Sequence, residues 1–243
     1  MIPPDHPRYR SLVARERLAQ YAASGIVTLE GLTAHGRGEA FDYLIGEKTT
    51  ISALQAEKTA AALLLSAERP LISVNGNTAA LAADLLAPLQ EKSGARVEVN
   101  LFHRSEERIR KIGSLLADAG VRVEEGVAER LLPLSHDRAL CLRHGIYAAD
   151  VVLVPLEDGD RCAALRAMGK TIIAIDLNPL SRTARTASLT IVDELTRALP
   201  HITDFCTTLS RDEAGRLAAS FDNRWFLSQA LEEIQERLSH ALD

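Results

Sequence analysis

Residues 151–176 read VVLVPLEDGDRCAALRAMGKTIIAID. Two runs, at 151–154 and 171–175, are rich in β-branched residues and apolar on both faces, and a helical pattern at 161–168 separates them. A strand, a helix and a second strand in this order predict a right-handed crossover between parallel strands. Strands that are apolar on both faces are typical of parallel sheets covered by helices on each side. This stretch therefore predicts an α/β fold.

The same alternation continues on both sides of that stretch. Further β-branched runs predict strands at 71–74, 97–101, 121–123 and 189–192. Helical patterns predict helices at 78–92, 106–119, 193–209 and 225–242. Residues 124–149 show neither pattern clearly and predict a loop with a short helix. We therefore expect a doubly wound, mainly parallel, Rossmann-like sheet over residues 69–243.

The N-terminal part of the chain favours helices over strands. Apolar stripes predict helices at 7–24 and 50–68. The segment between them includes residues 34–42, AHGRGEAFD, which are too polar and glycine-rich to predict a core element. Residues 1–68 are therefore interpreted as an N-terminal helical extension that forms one compact unit with the sheet.

Composition narrows the class of protein. The chain has 243 residues, of which 47% are hydrophobic, and a formal net charge of -5. This balance offers no basic surface, so neither nucleic acid nor a membrane is an expected partner. The three cysteines are too far apart for a zinc site or a disulfide framework, and no resident metal is expected. No signal peptide and no apolar run of roughly 20 residues is found, which favours a cytoplasmic protein.

Polar side chains follow four successive predicted strands. They are Asn75 and Asn77, then His103 and Arg104, then Asp158 and Asp160, and finally Asp176, Asn178, Arg182 and Arg185. In an open α/β sheet, ligands bind beyond the carboxyl ends of the strands. Arginines at such a position suit bidentate binding of phosphate. The sequence therefore predicts an active site at this edge, with an anionic and phosphorylated substrate.

Each of these residues also has a structural interpretation. Asn77 and Asp158 are typical N-caps of helices. Arg182 and Arg185 are equally compatible with a solvated surface pair. His35 lies in the glycine-rich stretch and is either a structural histidine or part of the site.

Three motifs that would identify a nucleotide-dependent or hydrolytic enzyme are absent from the sequence. No GxGxxG follows the first predicted strand, so the dinucleotide fingerprint is missing. No GxxxxGK[ST] marks a P-loop, and no GxSxG marks a nucleophile elbow. The residues alone therefore lead to an α/β enzyme with an arginine- and carboxylate-lined site.

Six segments of the chain together resemble one enzyme family. They are IPPDHPRYRSL, AHGRGEAFDYLIGEKT, ISVNGN, VPLEDGDR, DLNPLSRTAR and TIVD, in this order, within residues 2 to 193. They look like the archaeal 4-phosphopantoate–β-alanine ligases, also called phosphopantothenate synthetases. The resemblance implies that ATP drives the condensation of 4-phosphopantoate with β-alanine to 4′-phosphopantothenate, for coenzyme A synthesis, through an acyl-adenylate, with AMP and diphosphate released.

The resemblance also implies partners and site residues. It implies a homodimer, and apolar Leu12, Val13 and Tyr21 on the first helix are the expected contact residues. Mg²⁺ is expected to share the charge of the ATP phosphates. The implied ATP contacts are Arg15, Arg37, Asp176, Leu177, Asn178, Arg182, Thr183, Glu194 and Leu195.

We assign the remaining roles by residue type and place in the sequence. Asn75, Asn77, His103 and Arg104 are the expected contacts of phosphopantoate. Asp158, Asp160 and His35 are the candidate catalytic residues. Either aspartate is suited to hold Mg²⁺ or to deprotonate the ammonium group of β-alanine, and the sequence does not separate these roles.

Two other functions compete with this interpretation. An ADP-forming phosphotransferase would use the same arginine-lined edge. A non-catalytic nucleotide-sensing module would bind ATP without turnover, although carboxylates beside the arginines oppose simple binding of an anion.

Overall fold

Five parallel strands form the central sheet of the computed structural model, which describes residues 2–242. They are β1 (Pro70–Val74), β2 (Arg96–Val99), β5 (Val151–Pro155), β6 (Thr171–Ile175) and β7 (Leu189–Ile191). Two short strands, β3 (Glu129–Arg130) and β4 (Leu140–Cys141), pair antiparallel outside this sheet. The order in the sheet is β2-β1-β5-β6-β7. The chain thus builds outward in both directions from β1 and β5, as in flavodoxin-like doubly wound folds, and the predicted fold class is confirmed.

Helices cover both faces of the sheet. They are α1 (Tyr9–Ala23), α2 (Leu29–Ile45), α3 (Ile51–Ser66), α4 (Gly76–Ser93), α5 (Glu106–Asp118), α6 (Gly159–Ala167), α7 (Arg182–Thr186), α8 (Leu195–Thr208), α9 (Arg211–Ala219) and α10 (Asn223–Ser239). Four of the helices that follow strands of the sheet begin just past the strand end, with a polar N-cap whose side chain accepts a backbone N–H. These caps are Asn75, Ser105, Asp158 and Glu194, and Ser181 caps α7 after β6 in the same way. The caps bring polar side chains and helix N-termini to the carboxyl edge of the sheet.

The N-terminal helices share the core of the sheet. The largest cluster of buried apolar side chains includes Leu18, Val27 and Leu64 from this region, together with Ile72 of β1 and Ile173 of β6. Burial of such side chains stabilises each by about 1.5–3 kcal/mol. The end residues of the two predicted units, Met1 and Asp243, lie outside the described residues.

Residues 34–42 lie within helix α2, which the sequence did not predict, although of these residues only Asp42 is buried. Thr28 caps this helix by accepting the N–H of Gly31, and Gly46 ends it with a φ of 99°. Only Asp42 and Ile45 of α2 are buried, so the helix has no apolar stripe that the sequence would show. The glycines make the segment a poor helix by propensity, and tertiary contacts compensate for this.

Other differences concern short elements. The predicted strand at 121–123 is a single bridge between Val97 and Val123. The predicted short helix within 124–149 is a 3₁₀ turn at Asp137–Ala139, next to the small β3–β4 pair. Helices α7 and α9 were not predicted. Among the described residues, no helix is both long and apolar enough to cross a membrane.

Candidate active site at the carboxyl edge of the sheet

The order in which strands are added to the sheet reverses at β1 and β5, which lie side by side. Asn75 joins the carboxyl ends of these two strands. Its side-chain Nδ2 donates to the carbonyl oxygens of Pro155 and Leu156, each at 3.0 Å. Its Oδ1 accepts the N–H of Thr78 at 3.0 Å and so caps α4. Leu156 has a φ of 54°, a strained conformation for a residue with a side chain. Asn75 therefore holds a strained turn at the point where doubly wound folds bind ligands.

A buried carboxylate organises the loop after β5. Glu157 accepts from Arg138 Nη1 at 2.9 Å and also pairs with Arg161, and all three side chains are buried. Arg161 Nη1 donates to Ser73 Oγ of β1 at 3.0 Å. Burial alone favours the protonated acid, but the two guanidinium groups hold the pKa of Glu157 below its usual range. Glu157 thus joins two buried arginines beneath this edge, and Arg138 also lies 3.3 Å from Asp158 Oδ2.

Unsatisfied hydrogen-bonding groups concentrate at the same place. Seven buried side-chain N or O atoms of residues 2–242 lack a hydrogen-bond partner. Six of the seven belong to Asn100, His136, Arg138, Asp158 and Arg161. Two of these atoms, Arg138 Nε and Asp158 Oδ2, lie 3.3 Å apart as an ion pair. Native proteins satisfy most buried polar groups, so the remaining four atoms indicate a place where a polar ligand supplies partners.

The two candidate aspartates of this loop differ in environment. Asp158 caps α6 by accepting the N–H of Arg161 at 2.8 Å, while its Oδ2 lies 3.3 Å from Arg138 Nε. Burial and the neighbouring Glu157 carboxylate raise the pKa of Asp158. Asp160 is exposed and pairs with the exposed Arg182. Asp158 can therefore be both a helix cap and a site residue, because one oxygen caps the helix and the other faces the buried arginine.

More cations lie beyond the end of β2. Arg108 donates from Nε to the carbonyl oxygen of Ile26 at 3.0 Å and from Nη1 to that of His103 at 2.8 Å. Burial and the charge of Arg138 lower the pKa of Arg108. The backbone N–H of Arg104 donates to Asp137 at 3.1 Å, and the His103 side chain is exposed. Asn77 is half-buried and donates to the carbonyl oxygen of Gly31 in α2 at 2.8 Å.

A second group of predicted residues surrounds a cavity of about 380 Å³ between α1, α2 and the start of α8. His35, Leu177 and Glu194 line it. Burial lowers the pKa of His35 and raises that of Glu194. The volume lies within the range of about 300–1,000 Å³ that is typical of small-molecule sites.

The turn after β6 forms one wall of this cavity. Asp176 accepts the N–H of Asn178 at 3.0 Å and the hydroxyl of Ser181, and burial raises its pKa. Asn178 in turn accepts the N–H of Leu180 at 2.9 Å. These bonds fix the backbone from which Leu177 projects into the cavity.

Arginines of three helices lie around this region. Arg15 of α1 pairs with Glu39 of α2, with 2.7 Å between Nη2 and Oε1. Arg37 is exposed, and its side chain has no hydrogen bond or ion pair to any residue that the structure describes. Arg182 begins α7 and reaches Asp160. Arg185, by contrast, lies at the other end of α7, away from this edge of the sheet.

A buried charge network supports the start of α8. Arg197 pairs with Asp42 of α2 and Asp193 at the end of β7. Glu57 of α3 is fully buried, bonds to His201 Nδ1 at 2.8 Å, and has a pKa raised to about 10 by burial and by Asp193. Glu57, Asp193 and His201 each offer one atom within 4.8 Å of the others, so within the described chain they are the one group with metal-ligand spacing. Leu195 is buried at the first position of α8, directly above this network.

The predicted residues thus form two neighbouring groups, and α7 links them. Thr183 of α7 donates to the backbone oxygen of Glu157 at 2.8 Å, and Arg182 pairs with Asp160. Sequence reasoning did not find Arg138, Glu157 or Arg161. Glu157 and Arg161 are within the VPLEDGDR segment, but only the folded structure reveals that they are buried and paired.

Comparison with known proteins gives a consistent result along the whole chain. A family model described as phosphopantothenate/pantothenate synthetase matches residues 52–237. A protein of Methanospirillum hungatei named 4-phosphopantoate–β-alanine ligase is 61% identical over 243 residues, which is 100% of each chain. Proteins with the same name are 54% identical in Methanosarcina mazei, over 98% of this chain and 95% of that one, and 46% identical in Thermococcus kodakarensis, over 98% and 94%.

Proposed function

Because the chain belongs to the phosphopantothenate/pantothenate synthetase family, we propose that it is a 4-phosphopantoate–β-alanine ligase that consumes ATP. The observation that carries the proposal is the 61% identity to a ligase of this name over the full length of both chains. The geometry supports it, because two polar sites meet at one edge of the sheet and α7 links them.

We propose two chemical steps. A carboxylate oxygen of 4-phosphopantoate attacks the α-phosphorus of ATP, and the bond to the diphosphate breaks, which gives an acyl-adenylate. The neutral amine of β-alanine then attacks the acyl carbon, AMP leaves with the bonding electron pair, and the amine loses a proton. Both steps need reactants held in alignment and negative charge neutralised, which are the main contributions that a binding site makes to such a reaction.

Phosphopantoate is assigned to the β1–β5 side. Its phosphate would supply the missing partners of Arg138 and Arg161, whose unsatisfied donors lie beneath the loop after β5. Arg104 and Arg108 add positive charge at the neighbouring end of β2, and the exposed side chain of His103 lies beside them. Asn75 has all its hydrogen-bonding groups engaged within the protein, so we assign it a positioning role.

ATP is assigned to the β6–β7 side. The 380 Å³ cavity is lined by carboxylates as well as by arginines. Its carboxylates Glu39, Asp42 and Glu47 already pair with Arg15, Arg197 and Arg8, so few cations are left free inside it for a triphosphate. The adenosine part therefore fits the cavity, with Asp176 and Asn178 toward the ribose. The phosphates fit the exposed guanidinium groups of Arg37 and Arg182 outside it. Arg15 is held on α1 by Glu39 and is the further ATP contact.

The two aspartates of the β5 loop receive separate roles. Asp158 has a raised pKa and one buried oxygen without a hydrogen bond, so it is assigned as the base for the β-alanine ammonium group. Asp160 is exposed beside Arg182 and is assigned to hold Mg²⁺, which would neutralise phosphate charge. His35 is neutral through its lowered pKa and is suited to accept a hydrogen bond within the ATP cavity.

The reaction class is tested by the nucleotide products. Enzyme, Mg-ATP and β-alanine are incubated with either 4-phosphopantoate or pantoate, and the nucleotides are resolved by chromatography. We expect AMP and diphosphate with 4-phosphopantoate and little turnover with pantoate, since pantoate lacks the phosphate oxygens that would accept from the unsatisfied donors of Arg138 and Arg161. ADP as the product, or equal rates with both acids, would contradict the proposal. A homodimer and a cytoplasmic location complete the proposed setting of the enzyme.

A further inference from the structure

A second polar cavity lies on the opposite edge of the sheet from the proposed reaction site. It has a volume of about 660 Å³ and opens widely to solvent. Its walls come from the ends of α6 and α7, the residues just before β7, and the start of α10. Because Ser188 precedes β7, this cavity is at the amino ends of the strands. Of the residues that the sequence predicted for the carboxyl edge, Arg185 lies here instead.

The cavity is lined by three arginines from three different helices. They are Arg166 of α6, Arg185 of α7 and Arg224 of α10, and no carboxylate is among the lining residues. Arg166 is held by a 2.6 Å hydrogen bond to Ser188 Oγ. The side chains of Arg185 and Arg224 form no hydrogen bond or ion pair with any residue in the described range 2–242. Three guanidinium groups without carboxylates are unexpected on a protein with a net charge of -5.

The floor of the cavity is rigid. Asn223 donates from Nδ2 to the carbonyl oxygens of Ala184 at 2.9 Å and Ala187 at 3.2 Å, and its Oδ1 accepts the N–H of Thr190 at 2.6 Å. These bonds join α7, β7 and α10, the elements that carry or border two of the three arginines. Arg185 and Arg224 are therefore carried by a backbone that these bonds fix around one space, and Arg166 is held at the same space by Ser188.

We propose that this cavity is a second anion-binding site, distinct from the reaction site, for a ligand with linked phosphoryl groups. A cavity of 660 Å³ exceeds what a single phosphate fills, and it lies within the usual range for small-molecule sites. Guanidinium groups approaching from three directions suit several phosphoryl groups, since each arginine binds phosphate oxygens in pairs. A ligand bound here leaves the carboxyl edge free for substrates.

Calorimetric titration with inorganic triphosphate tests the site. The wild-type protein is compared with the double variant Arg185→Gln/Arg224→Gln and with Arg211→Gln, which removes an exposed arginine of α9 outside the cavity. Because the reaction site also takes phosphates, we expect two binding events in the wild type and in Arg211→Gln. In the double variant one of the two events should be at least about ten-fold weaker. Inorganic phosphate is expected to bind much more weakly than triphosphate to the wild type.

Ligase turnover by the same proteins separates this site from the reaction site. The double variant is expected to keep wild-type turnover without added triphosphate, because neither arginine lies at the carboxyl edge. Triphosphate isotherms that are the same for the wild type and the double variant would overturn the proposal, whether or not the protein proves to be a ligase. A loss of triphosphate binding in Arg182→Ala, with none in the double variant, would place the anion at the reaction site instead.

Discussion

Arg182 lies across the backbone of Gly159, so that a Cβ atom at position 159 would be 2.7–2.9 Å from three carbons of the arginine side chain. Gly159 is the first residue of α6, and Arg182 is the first residue of α7. The backbone at the start of α6 thus fixes the path of the Arg182 side chain at the start of α7. The missing side chain at 159 lets Arg182 reach Asp160.

Gly159→Ala is expected to displace Arg182 and raise the KM for ATP, because the methyl group occupies the space of the arginine carbons. The Cβ of Arg182 is among the approached atoms, at 2.8 Å, so the backbone at the start of α7 must shift too and some stability is lost. The higher helix propensity of alanine, about 0.5–1 kcal/mol, offsets part of this loss. Gly215→Ala is the control, as nothing lies within 4 Å of a Cβ at that position in α9. ATP kinetics of the two variants are compared, and a normal KM in Gly159→Ala would mean that the position of Arg182 is unimportant.

Arg182→Ala is expected to lower kcat/KM for ATP by about 10- to 100-fold. A hydrogen bond to a charged group contributes roughly 1.5–3 kcal/mol, and Arg182 is assigned to the ATP phosphates. The side chain is exposed, so the thermal unfolding temperature should remain unchanged. Arg211→Ala removes an exposed arginine elsewhere and should keep wild-type kinetics. ATP kinetics that are unchanged in Arg182→Ala would show that the assignment is wrong.

Asp158→Asn separates the helix cap from the proposed base. The amide oxygen still accepts the N–H of Arg161, and Asn caps a helix as well as Asp does, so the cap should be kept. The amide nitrogen replaces the oxygen that lies 3.3 Å from Arg138 Nε, so the stability of that ion pair is lost. The carboxylate is lost, and kcat should fall by about 10²- to 10⁴-fold, the usual contribution of a general base. Asp158→Ala should lose about 1 kcal/mol of stability in addition.

The pH dependence of kcat gives a second measure of the same residue. The base works only when it is deprotonated, and burial and Glu157 raise the pKa of Asp158. The acidic limb of the wild-type profile should therefore lie above the usual range of an aspartate. A wild-type kcat in Asp158→Asn would exclude Asp158 as the base.

Glu57→Gln is expected to change how stability depends on pH. The pKa of Glu57 is about 10 in the folded protein and about 4.5 in the unfolded chain. Its stabilising contribution is full below pH 4.5 and is lost as the pH rises toward 10, by at most about 1.4 kcal/mol per pH unit. Glutamine cannot ionise, so the stability of the variant relative to wild type should rise from pH 5 to pH 9. If the free energies of unfolding of the variant and the wild type differed by the same amount at all pH values, Glu57 would have to be ionised in the folded protein.

A homodimer is expected from light scattering, at twice the monomer mass of 26.4 kDa. The sequence predicted dimer contacts at Leu12, Val13 and Tyr21. These three side chains are half-buried within the monomer, so they have less surface to offer a second subunit than the prediction assumed. Ile51 is 80% exposed at the start of α3 and is the better candidate. Ile51→Lys should shift the protein toward the monomer, and Val127→Lys in an exposed loop should not. A wild-type mass near 26.4 kDa at micromolar concentration would contradict the dimer.

The parallel sheet was predictable because its strands are apolar on both faces and alternate with helices. Runs such as VVLVP and TIIAI leave few other structures open. Helix α2 was not predictable in this way, because it buries only Asp42 and Ile45 and contains three glycines. The information that makes it helical is in its contacts with other elements.

Some residues of the candidate site were likewise predictable from the sequence, and others were not. Residues at strand ends, such as Asp158 and Asp176, follow from the rule that ligands bind at the carboxyl edge. Arg138 lies in a segment without clear periodicity, and its burial depends on Glu157, 19 residues later in the chain. Sequence patterns report local periodicity, so they cannot show that an arginine is buried against a distant carboxylate.

The hydrogen bonds between Asn75 and the end of β5 also determine at which point of protein synthesis the active site can form. The partners of Asn75 Nδ2 are 80 and 81 residues further along the chain. When only β1 and β2 have left the ribosome, they form at most a two-stranded sheet, and the edge of β1 that later pairs with β5 is open. Asn75 then lacks its acceptors. Closing so long a loop is slow, and open strand edges favour aggregation until it is done. Nascent chains that stop before residue 155 are therefore expected to be sensitive to protease and unable to bind substrate.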